Sequence, residues 1–119
     1  MTKPLAFIVE DDPKLNQIVS LTLLTQFEIE SFAEGTSAQA RLKVVAPDLL
    51  VLDLNLPGVA GRDLVKFVRA NKRFANTKII LTTADERQAE TLSEEVDIVL
   101  LKPVSPTQLR ELAERLASK

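Results

Sequence analysis

The chain alternates short strand-like segments with longer helical ones. Leu5–Val9, Leu49–Leu52, Ile79–Thr82 and Ile98–Leu101 are almost entirely apolar, whereas Glu28–Phe32 alternates polar and apolar residues. Apolar runs of this length predict strands buried on both faces, and alternation predicts a half-exposed strand at a sheet edge. The pattern therefore predicts five strands, four of them buried on both faces.

The segments between the strands carry apolar residues at helical spacing. Asp12 followed by Pro13 is typical of an N-cap with proline at the first helical position. Five helices are expected: about 13–26, from Gly35 to a point before Pro47, around Leu64–Val68, a weaker one over 86–95, and one after Ser105. Strands that alternate with helices favour an α/β fold, with a parallel sheet and helices on both faces. With 119 residues, the chain is expected to form one domain.

Polar residues stand where four of these strands end. In chain order they are Glu10-Asp11-Asp12, Asp53, Thr83 and Lys102. Because ligands of parallel sheets bind outside the carboxyl ends of the strands, we expect these side chains to meet in one crevice. Carboxylate oxygens suit Mg²⁺. A hydroxyl and an ammonium beside them suit the oxygens of a phosphoryl group.

Each of these residues also has a simpler structural explanation. Acids before a helix cap it and favour its dipole, which explains Asp12 well but Glu10 and Asp11 poorly, since these two follow the apolar strand without a break. Asp53 is also typical of a turn, threonine is common in strands, and a lysine before a proline is often just exposed. The predicted site therefore depends on the motifs occurring together, in order, on strands of one sheet.

The composition excludes several kinds of chemistry. The chain has no Cys and no His, which excludes disulfides, thiolate or imidazole metal ligands and Ser–His catalysis. A net charge of −2 argues against direct binding of nucleic acid, and no apolar run reaches the length of a membrane span. The N-terminus lacks the apolar region of a signal peptide, so a cytoplasmic location is expected.

The motifs resemble those of the receiver domains of two-component response regulators, along essentially the whole chain. The family's acidic motif, phosphoacceptor, Thr/Ser-Ala step and Lys-Pro step are matched by Ile8-Val9-Glu10-Asp11-Asp12, Asp53, Thr83-Ala84 and Lys102-Pro103. The resemblance implies one receiver domain over 1–119 with no output domain. It also implies a flavodoxin-like, doubly wound sheet with strand order 2-1-3-4-5 and five helices.

The resemblance further implies the roles of single residues. A histidine kinase or histidine phosphotransfer protein would donate the phosphoryl group to Asp53, and Lys102 and Thr83 would contact its oxygens. Mg²⁺ would be held by Asp11, Asp53 and the backbone carbonyl of Asn55, and by Glu10 through water. A downstream protein target would then bind the face formed by the last two helices and the fifth strand.

Two departures from the family pattern concern the way the signal would pass from the phosphorylation site to the downstream protein. The family usually has an aromatic residue three positions before the lysine, and this ring moves inward together with the threonine; here the position is Val99. The segment from Thr83 to Lys102 is also shorter than usual, which predicts a truncated fourth helix or a tightened loop. The input chemistry is expected to be intact, and the route of the output to differ.

The fourth helical segment is rich in acids. Glu86, Glu90 and Glu94 are expected to share one face of this helix. Such stripes are mostly solvated surface; the alternative hypothesis is that this face attracts a basic partner and speeds its association.

Three other functions share parts of this sequence pattern with a phosphoreceiver. A degenerate receiver would bind partners without phosphorylation, although Asp53, Thr83 and Lys102 are all present. A magnesium-dependent aspartyl phosphatase uses a second aspartate two residues after the nucleophile, where this chain has Asn55. A flavin-binding electron carrier of the same topology needs a hydroxyl- and glycine-rich phosphate loop after the first strand, where this chain has acids.

Overall fold

The computed structural model describes residues 2–117, which form five strands, five α-helices and two short 3-10 helices. The strands are β1 (Leu5–Val9), β2 (Glu28–Phe32), β3 (Leu49–Asp53), β4 (Lys78–Thr83) and β5 (Ile98–Leu101). The α-helices are α1 (Pro13–Leu23), α2 (Gly35–Leu42), α3 (Gly61–Ala70), α4 (Glu86–Ala89) and α5 (Pro106–Ala117). The 3-10 helices are Lys72–Phe74 and Glu90–Leu92. Over this part of the chain no helix has the length and apolar character that a bilayer crossing requires.

The strands form one parallel sheet in the order β2-β1-β3-β4-β5. The predicted α/β class, the parallel sheet and its strand order are therefore confirmed. β2 and β5 lie at the two edges and are partly exposed, whereas all residues of the central strand β3 are buried. The prediction that Ile98–Leu101 is buried on both faces is therefore wrong, because this strand lies at the edge of the sheet. The connections reverse direction at β1 and β3, and ligands of such sheets bind outside the strand ends at this switch point.

The sheet separates two layers of hydrophobic core. Successive residues of a strand face opposite sides. Leu50 and Leu52 of β3 pack with α2, α3 and α4, whereas Leu49 and Val51 pack with α1 and α5. Because both faces of the sheet are covered by helices, the inner strands are continuously apolar, as the sequence pattern indicated.

The first helix begins where the sequence predicts and ends earlier. Asp12 is the N-cap, since its Oδ1 accepts a hydrogen bond from the amide of Lys14 at 3.0 Å, and Pro13 is the first helical residue. The helix ends at Leu23 instead of near residue 26. The amide of Phe27 then donates to the Leu23 carbonyl at 3.0 Å, in a turn that buries the Phe27 ring.

The fourth helix is much shorter than the predicted segment 86–95. It ends at Ala89 and continues as a 3-10 turn to Leu92, which agrees with the truncation that the short connection predicted. Ala89, Leu92 and Val96 are buried, as their spacing indicated. Glu94 lies beyond both helical turns, so the prediction of one helical face shared by three glutamates is wrong, although all three are exposed.

Two arginines of α3 attach the β4–β5 connection to the rest of the domain. Arg62 donates to the carbonyl of Gln88 at 3.0 Å. Arg69 donates to the carbonyl of Glu95 at 2.7 Å and forms an ion pair with Asp97 at 3.2 Å. The two arginines lie about two helical turns apart and therefore leave the same side of α3. The short connection is thus held against α3 near α4 and again just before β5.

Candidate functional site

Three charged side chains meet at the carboxyl end of the sheet. Glu10 directly follows β1, Asp53 is the last residue of β3, and Lys102 directly follows β5. The Lys102 Nζ atom lies 3.1 Å from Glu10 Oε1 and 3.1 Å from Asp53 Oδ2. Both carboxylate side chains are only 5% exposed, so the ammonium group compensates two buried negative charges.

The backbone around Asp53 and Lys102 continues the sheet beyond the strand ends. The amide of Leu54 donates to the carbonyl of Thr82 at 2.9 Å, which extends the contact between β3 and β4 past Asp53. The amide of Lys102 donates to the carbonyl of Thr83 at 2.8 Å, and the peptide bond that follows Lys102 is cis. The Asp53 carboxylate and the Lys102 ammonium are therefore carried by backbone that is fixed to neighbouring strands.

The acids form a set of oxygen ligands that fits a divalent cation. One carboxylate oxygen from each of Glu10, Asp11 and Asp53 lies within 4.8 Å of the others. The amide of Asn55 donates to Asp53 Oδ1 at 3.2 Å, which keeps this peptide beside the same carboxylate. Hard oxygen donors fit Mg²⁺, and Asp11 is exposed, so a bound ion would keep water ligands. The individual ligand roles of these residues stay predictions.

Burial and charge shift the pKa values in this cluster. Burial raises the pKa of Glu10, and the amide of Asp12 and the ammonium of Lys102 offset this only in part. Burial alone would lower the pKa of Lys102, but hydrogen bonds with Glu10 and Asp53 outweigh it and raise the pKa above its ordinary value. Lys102 therefore stays protonated at neutral pH. A cation bound among the acids would favour the ionised form of Glu10.

Thr83 and Val99 make different contacts from the charged residues. Thr83 is buried, and its hydroxyl accepts from the amide of Asp85 at 3.1 Å and donates to the Asp85 carbonyl at 3.2 Å. Donation to a phosphoryl oxygen would require the hydroxyl to give up its bond to the Asp85 carbonyl, and this role stays a prediction. Val99 is half-buried, pairs with Leu81 of β4 and packs in the core layer beneath α3 and α4. Its role as a switch position likewise stays a prediction.

The sequence reasoning missed Asn16, a half-buried polar residue of α1 beside the acids. Its Nδ2 donates to the backbone carbonyl of Glu10 at 3.0 Å and to that of Phe32 at 3.1 Å. The sequence signal was weak. Asn16 directly follows Leu15, an inward-facing residue of α1, and a polar amide is unusual beside the apolar face of a helix. The partners of Asn16 are backbone atoms, which a sequence pattern does not reveal.

The comparison with protein families agrees with this geometry. A family model described as the response regulator receiver domain matches residues 6–114. The chain therefore belongs to the response regulator receiver domain family, as its motifs indicated.

Curated relatives contain this domain as one part of longer proteins. The chain is 34% identical over 119 residues to the sensor histidine kinase TmoS of Ectopseudomonas mendocina, covering 98% of this chain and 12% of that protein. It is 33% identical over 110 residues to the phosphate regulon transcriptional regulatory protein PhoB of Rhizobium meliloti, covering 89% of this chain and 48% of that protein. The chain thus spans less than half of each of these relatives.

Solved structures have the same fold over nearly the whole chain. The chemotaxis response regulator CheY4 of Vibrio cholerae superposes with a TM-score of 0.88 at 27% identity, covering 97% of this chain and 99% of that one. A response regulator of Chloroflexus aurantiacus superposes with a TM-score of 0.90 at 25% identity, covering 99% of this chain and 100% of that one. A chemotaxis response regulator, a transcriptional regulatory protein and a sensor histidine kinase thus all contain a region similar to this chain.

Proposed function

We propose that this domain accepts a phosphoryl group on Asp53 from a histidine kinase or a histidine phosphotransfer protein, in a reaction that depends on Mg²⁺. The observation that carries the proposal is the buried Asp53 carboxylate, 3.1 Å from Lys102 and next to two further acids. A purely structural ion pair would need one acid for one lysine. An excess of acids beside a single lysine, with Asp11 open to solvent, favours a site that receives a cation.

In the proposed reaction, a carboxylate oxygen of Asp53 attacks the phosphorus atom of phosphohistidine. The phosphorus–nitrogen bond breaks, the imidazole leaves with its electron pair, and an acyl phosphate forms on Asp53. Lys102 already lies within hydrogen-bond distance of the acceptor carboxylate and is placed to pair with the incoming phosphoryl oxygens. Residues 1–119 contain no histidine, so the donor histidine lies outside them.

Mg²⁺, when bound, would neutralise charge on the phosphoryl group and the acceptor as they approach. Asp11, Asp53 and the backbone carbonyl of Asn55 would hold the ion directly. Both oxygens of the Glu10 carboxylate already have partners, since Oε1 pairs with Lys102 and Oε2 accepts from the amide of Asp12 at 3.0 Å. This arrangement favours contact of Glu10 with the ion through a water molecule.

The proposed output is a contact between a downstream protein and the face formed by α4, β5 and α5, in the cytoplasm. Leu101, the last residue of β5, is 47% exposed and directly precedes Lys102. An apolar side chain next to the phosphorylation residues gives such a partner a contact that can respond to the state of the site.

The test is phosphorylation by a small donor. The purified protein is incubated with acetyl phosphate and Mg²⁺, and its intact mass is measured, with beryllium fluoride binding as a second readout in case hydrolysis is fast. One phosphate adduct is expected in the wild type and in the control Asp63→Asn, which changes an exposed acid of α3. No adduct is expected in Asp53→Ala. Neither adduct nor beryllium fluoride binding in the wild type, or an undiminished adduct in Asp53→Ala, would contradict the proposal.

The same experiment separates the alternative of a degenerate receiver. Such a domain would give no adduct and no response to Mg²⁺. The intact set of Asp53, Lys102 and the acids, all gathered at one edge of the sheet, does not favour this alternative. Val99 replaces an aromatic residue expected to transmit the signal, and it is not one of the residues proposed to accept the phosphoryl group or hold the ion.

A further inference from the structure

The side chain of Asn16 connects three parts of the structure near the acids. Its Nδ2 atom donates to the backbone carbonyls of Glu10 and Phe32, at 3.0 and 3.1 Å. Its Oδ1 atom accepts from the hydroxyl of Ser20, one turn further along α1, at 3.3 Å. Since the two carbonyls can only accept hydrogen bonds, the orientation of this amide is determined by its partners. Asn16 thus joins α1 to the ends of β1 and β2.

The position of these contacts matters because the backbone leaves the sheet at Glu10. The paired residues of β1 and β2 end with Val9 and Phe32, and the amide of Glu10 then donates to the Phe32 carbonyl at 3.0 Å. Beyond this bond the ladder no longer fixes the chain. The carbonyl of Glu10 receives the Asn16 amide instead, and this bond fixes the plane of the peptide between Glu10 and Asp11.

We infer that Asn16 is a positioning residue for the metal site. It holds the peptide between Glu10 and Asp11 so that the carboxylates of these two residues converge with that of Asp53. The inference rests on the proposed function, since it assigns a residue to the Mg²⁺ site of that function.

Electrostatics explains why such an anchor is needed. Three carboxylates with oxygens within 4.8 Å of one another repel, and only Lys102 lies between two of them. Asp11 is exposed and is the acid that is most free to move away. A backbone held from α1 keeps its carboxylate near the others before the ion arrives, which lowers the cost of ordering the site on binding.

The test measures Mg²⁺ affinity by the chemical shifts of backbone amides, because the chain has no Trp or Tyr for intrinsic fluorescence. Asn16→Ala removes both donors and keeps a good helix former, and Asn16→Leu removes them while filling the volume. Each variant is expected to raise the dissociation constant for Mg²⁺ roughly tenfold, as for other residues that orient metal ligands. At saturating Mg²⁺, the rate of phosphorylation by acetyl phosphate is expected to return to within about twofold of wild type.

The matched control is Thr77→Val. Thr77 is buried and its hydroxyl donates to the carbonyl of Pro47 at 2.6 Å, before the start of β4 and far from the acids in the fold. It also loses one hydrogen bond from a side chain to a backbone carbonyl. We expect a lower melting temperature for this control with an unchanged dissociation constant for Mg²⁺.

The outcomes separate the inference from the function on which it rests. A wild-type protein that binds no Mg²⁺ would contradict the proposed function. A wild type that binds Mg²⁺, together with two Asn16 variants that bind it equally well, would overturn the inference alone. The same holds if the control weakens Mg²⁺ binding as much as the Asn16 variants do, because the effect would then reflect loss of stability only.

Discussion

Replacing Lys102 by methionine tests whether one ammonium group balances the two buried acids. Its Nζ atom lies 3.1 Å from both Glu10 Oε1 and Asp53 Oδ2. Methionine keeps an unbranched apolar side chain of similar reach and removes the charge. The variant therefore leaves two carboxylates, each 5% exposed, facing one another without their shared cation.

The expected loss of stability follows from this geometry. Removing one partner of a buried ion pair costs roughly 3–5 kcal/mol. The Lys102 side chain is 25% exposed, so water replaces part of the lost interaction, and we expect a loss of about 3 kcal/mol without Mg²⁺. Repulsion between the two carboxylates supports this size, since their oxygens lie within 4.8 Å of each other and unit charges at that separation repel by about 3.5 kcal/mol at an effective dielectric constant of ~20. For a domain of this length the loss corresponds to about 10 °C in melting temperature.

The assay is urea unfolding followed by circular dichroism, without Mg²⁺ and with about 20 mM Mg²⁺, a concentration chosen to fill a weak site. Because the ion supplies positive charge to the same acids, we expect Mg²⁺ to recover most of the loss in Lys102→Met. The control Lys66→Met removes an exposed lysine of α3 and should change stability by less than about 0.5 kcal/mol. An equal loss with and without Mg²⁺, or a loss no larger than in the control, would refute the charge-balance argument.

Three further variants test other parts of the structure. Arg41 lowers the pKa of Glu30 through their hydrogen bond, so this pair stabilises the fold above the ordinary pKa of the acid and loses its effect as the pH falls through the lowered value. Arg41→Gln should therefore melt below wild type at pH 7 and approach it as the pH falls below the lowered pKa of Glu30; a gap that is constant with pH would speak against the pair. A Cβ atom at Gly61 would lie 2.5 Å from the Asp53 carbonyl oxygen, so Gly61→Ala should lose about 2 kcal/mol in urea unfolding, and a loss near zero would show that the loop yields easily. Asp12→Ala removes the N-cap of α1 and should cost about 1 kcal/mol without abolishing phosphorylation; loss of the phosphate adduct would instead make this acid part of the site.

Much of the fold was predictable because its signals are local. Continuous apolar runs indicated the inner strands, which helices cover on both faces. Asp12 followed by Pro13 indicated the start of α1. The parallel arrangement then predicted that acids after β1, Asp53 and Lys102 would meet at one edge, which they do. Here the spacing of residue types along the chain was sufficient, because a parallel sheet brings all strand ends to the same side.

The remaining features depend on contacts between distant residues and backbone atoms. The early end of α4 was predicted only as a shortened segment, because the sequence does not mark the residue at which the helix becomes a 3-10 turn. The contact between Arg69 and the carbonyl of Glu95 has no sequence signal either. The bond from Asn16 to the carbonyl of Glu10 is of the same kind. The hydroxyl of Thr83 bonds to the backbone of Asp85, which the sequence did not indicate, and its contact with a phosphoryl oxygen stays a prediction. Rotamers and backbone partners of this kind depend on packing, and a one-dimensional pattern does not fix them.

The two arginines of α3 limit how the β4–β5 connection can move. Arg62 holds the carbonyl of Gln88, and Arg69 holds the chain again at Glu95 and Asp97. A segment fastened at two points can rotate about them more easily than it can shift as a rigid body. A displacement that begins when the Thr83 hydroxyl leaves Asp85 should therefore be absorbed within residues 84–87, which include the start of α4, ahead of the first fastening point. Under the proposed function, the signal would then be a local change in shape at the start of α4, on the face proposed for the downstream protein.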